Sequence, residues 1–504
     1  MKKTGITLLL FGALFSSSLI FTACGGGDDN DDPIIVNPPI SVGEIILRSA
    51  SIEEGATVKA SQTSEVVLSY NNTVSVSESA NITLNGTKVR AASSKETTMK
   101  VVVSLGTLAD GTSYTLNIPA GSIISLKDGK TSAPAFALNF KTEESKAPDV
   151  SKIGDLTNKN ATQEAKNVYK FLKENYGKKQ LTGVQSSMSN TNDFINNVYS
   201  ATQKHPALAG YDFIYLAFSP TPANWSWVQN YGDISAAKEQ WENNGLVSYM
   251  WHWNVPNSEA DFNNCVEKNS TDNMGFYCPG ANSSGTTSFD IREALKEGTW
   301  QNRCIMRDIE EVAGYLKNLQ DANIPVIFRP LHEAAGNYTK YNPQGGAWFW
   351  WGRYGAEPCK KLFRLLHDQL TNVYGLNNLI WAWTIDATEG MVSQAKDWYP
   401  GDDVVDIVGV DIYTDKINVP QKSQYEFMNE VTGGKKLTTI SECGNIPDPK
   451  VQFDGDLSWS WFMVWPSGDG GSLPGDYAKN TANYWKQIQG YDCILNREDM
   501  PSLK

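Results

Sequence analysis

The sequence predicts two folded parts: an all-β sandwich over residues 44–143, then an α/β (β/α)8 barrel over residues 150–504. Three observations predict them. From about residue 150 to the end, strand-like and helix-like patterns alternate, with eight strand candidates in about 350 residues. Several strand candidates finish in or beside ionisable residues, Val326–Glu333 above all, and a barrel carries its chemistry at the C-terminal ends of its strands. Residues 41–142 are rich in Ser, Thr, Val and Ile and contain no Trp.

The 504 residues are 40% apolar and 20% charged, as in a folded chain with a substantial core. A formal net charge of −13 argues against a nucleic-acid partner. The 16 Trp and 21 Tyr have two readings, a large aromatic core or a cleft floored with flat rings for sugars.

The first residues are a targeting segment. Lys2 and Lys3 precede the apolar stretch Ile6 to Phe21, and Phe21-Thr-Ala-Cys24 is similar to a bacterial lipobox. That resemblance implies a signal peptide over residues 1–23 and a lipidated Cys24, against ordinary signal cleavage. Residues 24–43 form a flexible acidic and proline-containing linker. Its Gly25-Gly-Gly-Asp-Asp-Asn-Asp-Asp32 is similar to the acidic run of surface-exported lipoproteins of Bacteroides-like bacteria. The expected location is the outer membrane, lipid-anchored at the cell surface, with the periplasm as alternative.

With Cys24 lipidated, six cysteines remain and allow fifteen pairings. Cys265 with Cys278, flanking an Asn-rich stretch, is the first candidate. No CxxC or HxxxH spacing suggests a metal site, and no cofactor is expected.

Within the sandwich, short alternating runs such as Glu65–Tyr70, Thr98–Val103 and Phe136–Phe140 are separated by turn signals, Asn85-Gly86 being the strongest. The phrase Tyr114-Thr-Leu-Asn-Ile-Pro-Ala-Gly-Ser-Ile123 resembles bacterial Ig-like modules. Lacking an evident cluster of exposed aromatics, this part is expected to be a spacer rather than a carbohydrate-binding module.

The barrel strands are expected at residues 181–185, 208–212, 246–253, 326–333, 379–384, 404–413, 437–442 and 459–465. Helical spacing covers Ala165 to Tyr176, Cys304 to Ala322 and Ala356 to Tyr374. A doubly wound open sheet is the rival, but no glycine-rich phosphate loop follows the first strand. The strand ends would bring Gln185, Asp212, His252, Arg329, His332, Glu333, Asp411, Tyr413 and Glu442 to one rim. Two carboxyl groups across that mouth suit glycoside hydrolysis, which needs a proton donor and a second carboxylate. His205 and His367 read as structural, Cys443 as buried filler, and Asp386 and Asp397 as either site or cap residues.

Six phrases carry a family resemblance: Trp251-His-Trp-Asn254, Phe328-Arg-Pro-Leu-His-Glu333, Trp348-Phe-Trp-Trp-Gly352, Tyr399-Pro-Gly-Asp402, Val410-Asp-Ile-Tyr413 and Ile440-Ser-Glu442. In this order they resemble glycoside hydrolase family 26, over about residues 160–495. That family has a clan A (β/α)8 fold and is best known for endo-β-1,4-mannanases. The resemblance implies Glu333 as acid/base and Glu442 as nucleophile. It implies His252, Arg329, His332, Asp411 and Tyr413 as supporting residues around the sugar. Trp348 is an expected aromatic contact, although the insertion Asn337 to Gln344 leaves Tyr338 as another. Trp461 and Trp465 are expected to contribute substrate contacts from the last strand, whose alternating Trp residues also serve the core.

The expected function is a retaining, endo-acting β-mannanase on mannan, glucomannan or galactomannan. The expected partners are that polysaccharide and the membrane through Cys24, and the chain is expected to be a monomer. Mixed-linkage β-glucan or xylan is the alternative substrate, and a non-catalytic surface glycan-binding lipoprotein is the alternative from another class.

Overall fold

The computed structural model describes residues 43–60, 63–94, 98–106, 108–109, 111–144, 148–186, 190–214, 216, 230–268, 270–336, 347–387, 395–466, 473 and 479–504. The expected signal peptide, Cys24, the linker up to residue 42 and the insertion at 337–344 lie outside them. The chain divides into two compact units. One comprises Met1–Ile52, Val66–Ser104 and Leu116–Leu138; the other comprises Glu53–Glu65, Leu105–Thr115 and Asn139–Lys504.

The first unit is built of short strands. Leu47–Ala50, Glu65–Tyr70, Lys100–Ser104 and Ala91–Ser93 lie side by side in that order. Val66, Leu68, Val101 and Val103 alternate inward and are fully buried, the period-2 pattern of a half-solvated sheet. Thr83–Leu84 and Thr87–Lys88 form the hairpin that Asn85-Gly86 predicts. Both turn residues have positive φ, 48° and 83°, which suits a primed two-residue turn.

The second unit contains a closed parallel barrel. Its strands are β1 (Gln180–Gln185), β2 (Leu208–Asp212), β3 (Leu246–Trp251), β4 (Val326–Pro330), β5 (Leu379–Asp386), β6 (Ile407–Ile412), β7 (Leu437–Cys443) and β8 (Trp461–Val464). Each pairs with the next, and β1 pairs with both β8 and β2, which closes the ring. Every strand is buried along its length, as expected for parallel strands covered on both faces. The helices cover the outside. Thr162 caps Gln163–Asn175, which turns Val168, Phe171 and Leu172 inward. Thr299 caps Trp300–Asp321. Ala356–His367 ends in a π-helical turn, Asp368–Val373, where the sequence suggests one continuous helix.

One expectation is corrected here. None of the six described cysteines is in a disulfide, so Cys265 and Cys278 are not a pair. Of the two readings of the tryptophans, the core takes many: Trp251, Trp253, Trp350, Trp351, Trp381, Trp459 and Trp485 are fully buried.

Candidate active site

The site is built from strand ends that the backbone bends out of regular geometry. After β4, Leu331 and Glu333 both have positive φ, 52° and 49°. Left-handed backbone costs a non-glycine residue roughly 1–2 kcal/mol, so the surrounding structure must hold this turn in place. Between β6 and β7 the register runs Val410↔Ile440 and then Asp411↔Glu442, with Ser441 as the extra residue. This bulge sets Asp411 and Glu442 opposite each other and turns the Ser441 hydroxyl onto Asp411 Oδ1 at 2.6 Å. Gly409 leaves the necessary space, since a Cβ there would meet Ser441 Oγ at 2.5 Å.

Three buried carboxylates result: one oxygen from each of Glu333, Asp411 and Glu442 lies within 4.8 Å of the other two. Carboxyl groups this close are compatible with the ~5–5.5 Å separation of retaining glycosidases. Arg329 forks between two of them. Its Nη1 donates to Asp411 Oδ2 at 2.9 Å and its Nη2 to Glu442 Oε2 at 2.6 Å. Tyr413 donates its hydroxyl to Glu442 Oε1 at 2.5 Å. Tyr413 is half exposed and also lines the adjoining pocket.

These contacts separate the two glutamates electrostatically. Burial, then the charges of Asp411 and Glu442, push the Glu333 carboxyl well above the ordinary carboxylate range. Glu442 instead receives two strong donors, the Arg329 guanidinium and the Tyr413 hydroxyl. Burial also pushes Asp411 up, opposed by the Arg329 guanidinium and the Ser441 hydroxyl. A carboxyl raised above its ordinary range thus lies beside one that receives two strong donors.

The histidines form a chain beside this centre. Asp212 accepts the His252 backbone N–H at 3.0 Å and sits 2.5 Å from its Nδ1. His252 Nε2 then meets His332 Nε2 at 3.2 Å. Burial first, with His252 and Arg329 adding to it, pushes His332 well below the usual histidine range and keeps it neutral. Phe349 packs on both imidazoles, and Trp351 Nε1 donates to the His332 carbonyl at 3.0 Å. The aromatic phrase after Glu333 is therefore mainly a wedge that braces the site.

A pocket of about 660 Å³ opens beside Glu333, lined by Trp348, Asp386, Asp411, Tyr413, Lys416 and Gln424 among others. Trp348 is the member of its phrase that reaches it. Gly336 makes room for that ring, because a Cβ there would come within 2.6 Å of the indole. Trp465 lies 5.7 Å from the His252 ring, centroid to centroid. Trp461, expected among the substrate contacts, lies instead at the start of β8, level with Leu181 at the opposite end of the barrel, and is buried. Asp386 falls in the pocket wall, whereas Asp397 is exposed on Ala395–Trp398. His205 pairs with Glu498 and His367 packs on Trp381. Cys443 is fully buried behind Glu442. Sequence reasoning missed Thr384, Ser441 and the Lys416–Gln424 wall; only the position of Thr384 and Ser441 near strand ends could have signalled them.

Comparison with known proteins agrees with this geometry. Residues 157–487 match the profile of glycosyl hydrolase family 26. Mannan endo-1,4-beta-mannosidase A of Piromyces sp is 32% identical over 73% of this chain and 54% of its own length. Mannan endo-1,4-beta-mannosidase of Thermothelomyces thermophilus is 33% identical over 68% of this chain and 63% of its own. The chain thus spans less than two thirds of these curated relatives. A crystal structure of the family 26 domain from an endo-β-mannanase/endo-β-glucanase of Prevotella bryantii has a TM-score of 0.57 at 32% identity, covering 68% of this chain and 98% of that one. The profile match covers most of the chain and spans the whole barrel and both glutamates, and on that ground the chain belongs to glycosyl hydrolase family 26.

Proposed function

We propose that this chain is an endo-acting retaining β-mannanase, with Glu333 as acid/base and Glu442 as nucleophile. The observation that carries the mechanism is the close carboxyl pair with opposite electrostatic surroundings. The mannan substrate is supported by the names of the Piromyces and Thermothelomyces relatives.

In the first step Glu333 gives its proton to the glycosidic oxygen while Glu442 attacks the anomeric carbon. The Glu442 charge vanishes in the glycosyl-enzyme, so one cause of the raised Glu333 pKa disappears. Glu333 then holds a carboxylate that takes a proton from water as that water releases the sugar. Arg329 and Tyr413 hold Glu442 aimed at the anomeric carbon, and neutral His332 serves as a hydrogen-bonding wall for sugar hydroxyls. Trp348 and Tyr413 supply flat apolar surface for sugar C–H faces. His252 and Trp465 stand behind His332, and Asp411 buttresses Arg329.

The same proposal includes a lipid anchor at Cys24, display on the outer membrane, and an Ig-like spacer formed by the N-terminal strands, with the chain acting as a monomer. The test is product analysis of residues 41–504 on glucomannan, galactomannan, mixed-linkage glucan and xylan, with Glu333→Ala and Glu442→Ala alongside. A ladder of manno-oligosaccharides lost in both variants is the expected result. Cleavage of glucan or xylan alone would replace the substrate, and no cleavage of any glycan would leave a binding platform.

A further inference from the structure

We propose that Asp386 is a substrate-contacting carboxylate that accepts a hydrogen bond from a hydroxyl of the sugar on the leaving-group side of the cleaved bond. This rests on the assignment of Glu333 as acid/base.

Asp386 is the last residue of β5 and stands in register with Asp411 on β6, so it occupies the barrel rim. It is 3% exposed, yet it forms part of the wall of the 660 Å³ pocket. That pocket runs from Glu333 and Trp348 over the ends of β5 and β6 to the Lys416–Gln424 segment, and Glu442 is not among its walls. A proton donor faces the oxygen that leaves. A sugar lying in this pocket therefore rests against the proton donor, with Glu442 outside the lining and behind its partners Tyr413 and Asp411. A carboxylate offers only acceptors at neutral pH and a sugar hydroxyl supplies the matching donor. Asp386 is also a fourth carboxyl beside three buried ones, and its charge is among those that push Glu333 upward.

Two substrates for the full chain separate this role from a structural one. Mannopentaose has a sugar as leaving group, whereas a nitrophenyl β-mannobioside has none. In Asp386→Asn, kcat/KM on mannopentaose is expected to fall about tenfold or more, the loss typical of a hydrogen bond to a charged group. The loss on the nitrophenyl substrate is expected to be several-fold smaller than on mannopentaose, and an unchanged thermal melting midpoint reports an intact fold. Equal losses on both substrates, or no loss on either, overturn the assignment. A wild type inert on both overturns the mannanase reading and this assignment together, while an active wild type with an indifferent Asp386→Asn overturns this assignment alone.

Discussion

Arg329→Met tests the central electrostatic argument. The guanidinium is buried and donates to Asp411, Glu442 and Thr384 at 2.9, 2.6 and 3.2 Å. Methionine keeps most of the stem volume and removes the charge. Asp411 and Glu442 would then face each other within 4.8 Å, a repulsion of about 3.5 kcal/mol at an effective dielectric of ~20. Removing one partner of a buried pair costs about 3–5 kcal/mol, which agrees with that figure. The pH dependence follows from the direction of the shift. In the variant Asp411, already raised by burial, loses the Arg329 charge that opposes the shift and rises further above its unfolded value, so the destabilisation grows as pH rises past about 4. Below that pH both states are protonated and the deficit should shrink. The assay is the free energy of unfolding in denaturant at pH 4 and pH 7, wild type beside variant. A loss near 3–5 kcal/mol at pH 7 that falls by more than half at pH 4 is expected. An equal loss at both pH values, or less than about 1 kcal/mol at pH 7, would refute the reasoning.

Three further outcomes are expected. Because Glu333 must be protonated and its pKa is raised, kcat/KM should fall on the alkaline side as Glu333 ionises, and Asp411→Asn should move that limb to lower pH; a pH–rate profile checks both. Tyr413→Phe removes one donor from Glu442 and should lower kcat about 10- to 100-fold with little change in thermal stability, since the ring is half exposed. Gly336→Ala should push the Trp348 indole out of place and raise KM on oligosaccharides more than it lowers kcat, measured by initial rates.

The barrel was legible in the sequence because burial on both faces forces near-continuous apolar runs into the strands. All eight expected runs, from Leu181–Gln185 to Trp459–Trp465, overlap observed strands. The two glutamates were legible because each follows such a run within a family phrase. Much else around them was not. The aromatic phrase Trp348 to Trp351 looks the same in sequence whether its rings meet substrate or core, and only packing assigns Trp348 to the pocket and the next three to the wedge. Trp461 reads like Trp465, yet four residues along a strand separate one end of a barrel from the other. Cysteine spacing carries no distance information, and the expected Cys265–Cys278 pair did not form.

The sequence by itself determined the order of the strands, and with it which residues reach the rim. Pattern along the chain reports burial, and parallel topology places all strand ends on one face. Tertiary structure alone decided what those residues do to one another. The bulge at Ser441 depends on Asp411, 30 positions away, and the fork of Arg329 on Asp411 and Glu442, 82 and 113 positions away. A carboxyl becomes an acid or a nucleophile through burial and the charges around it, and both are set only when the barrel closes.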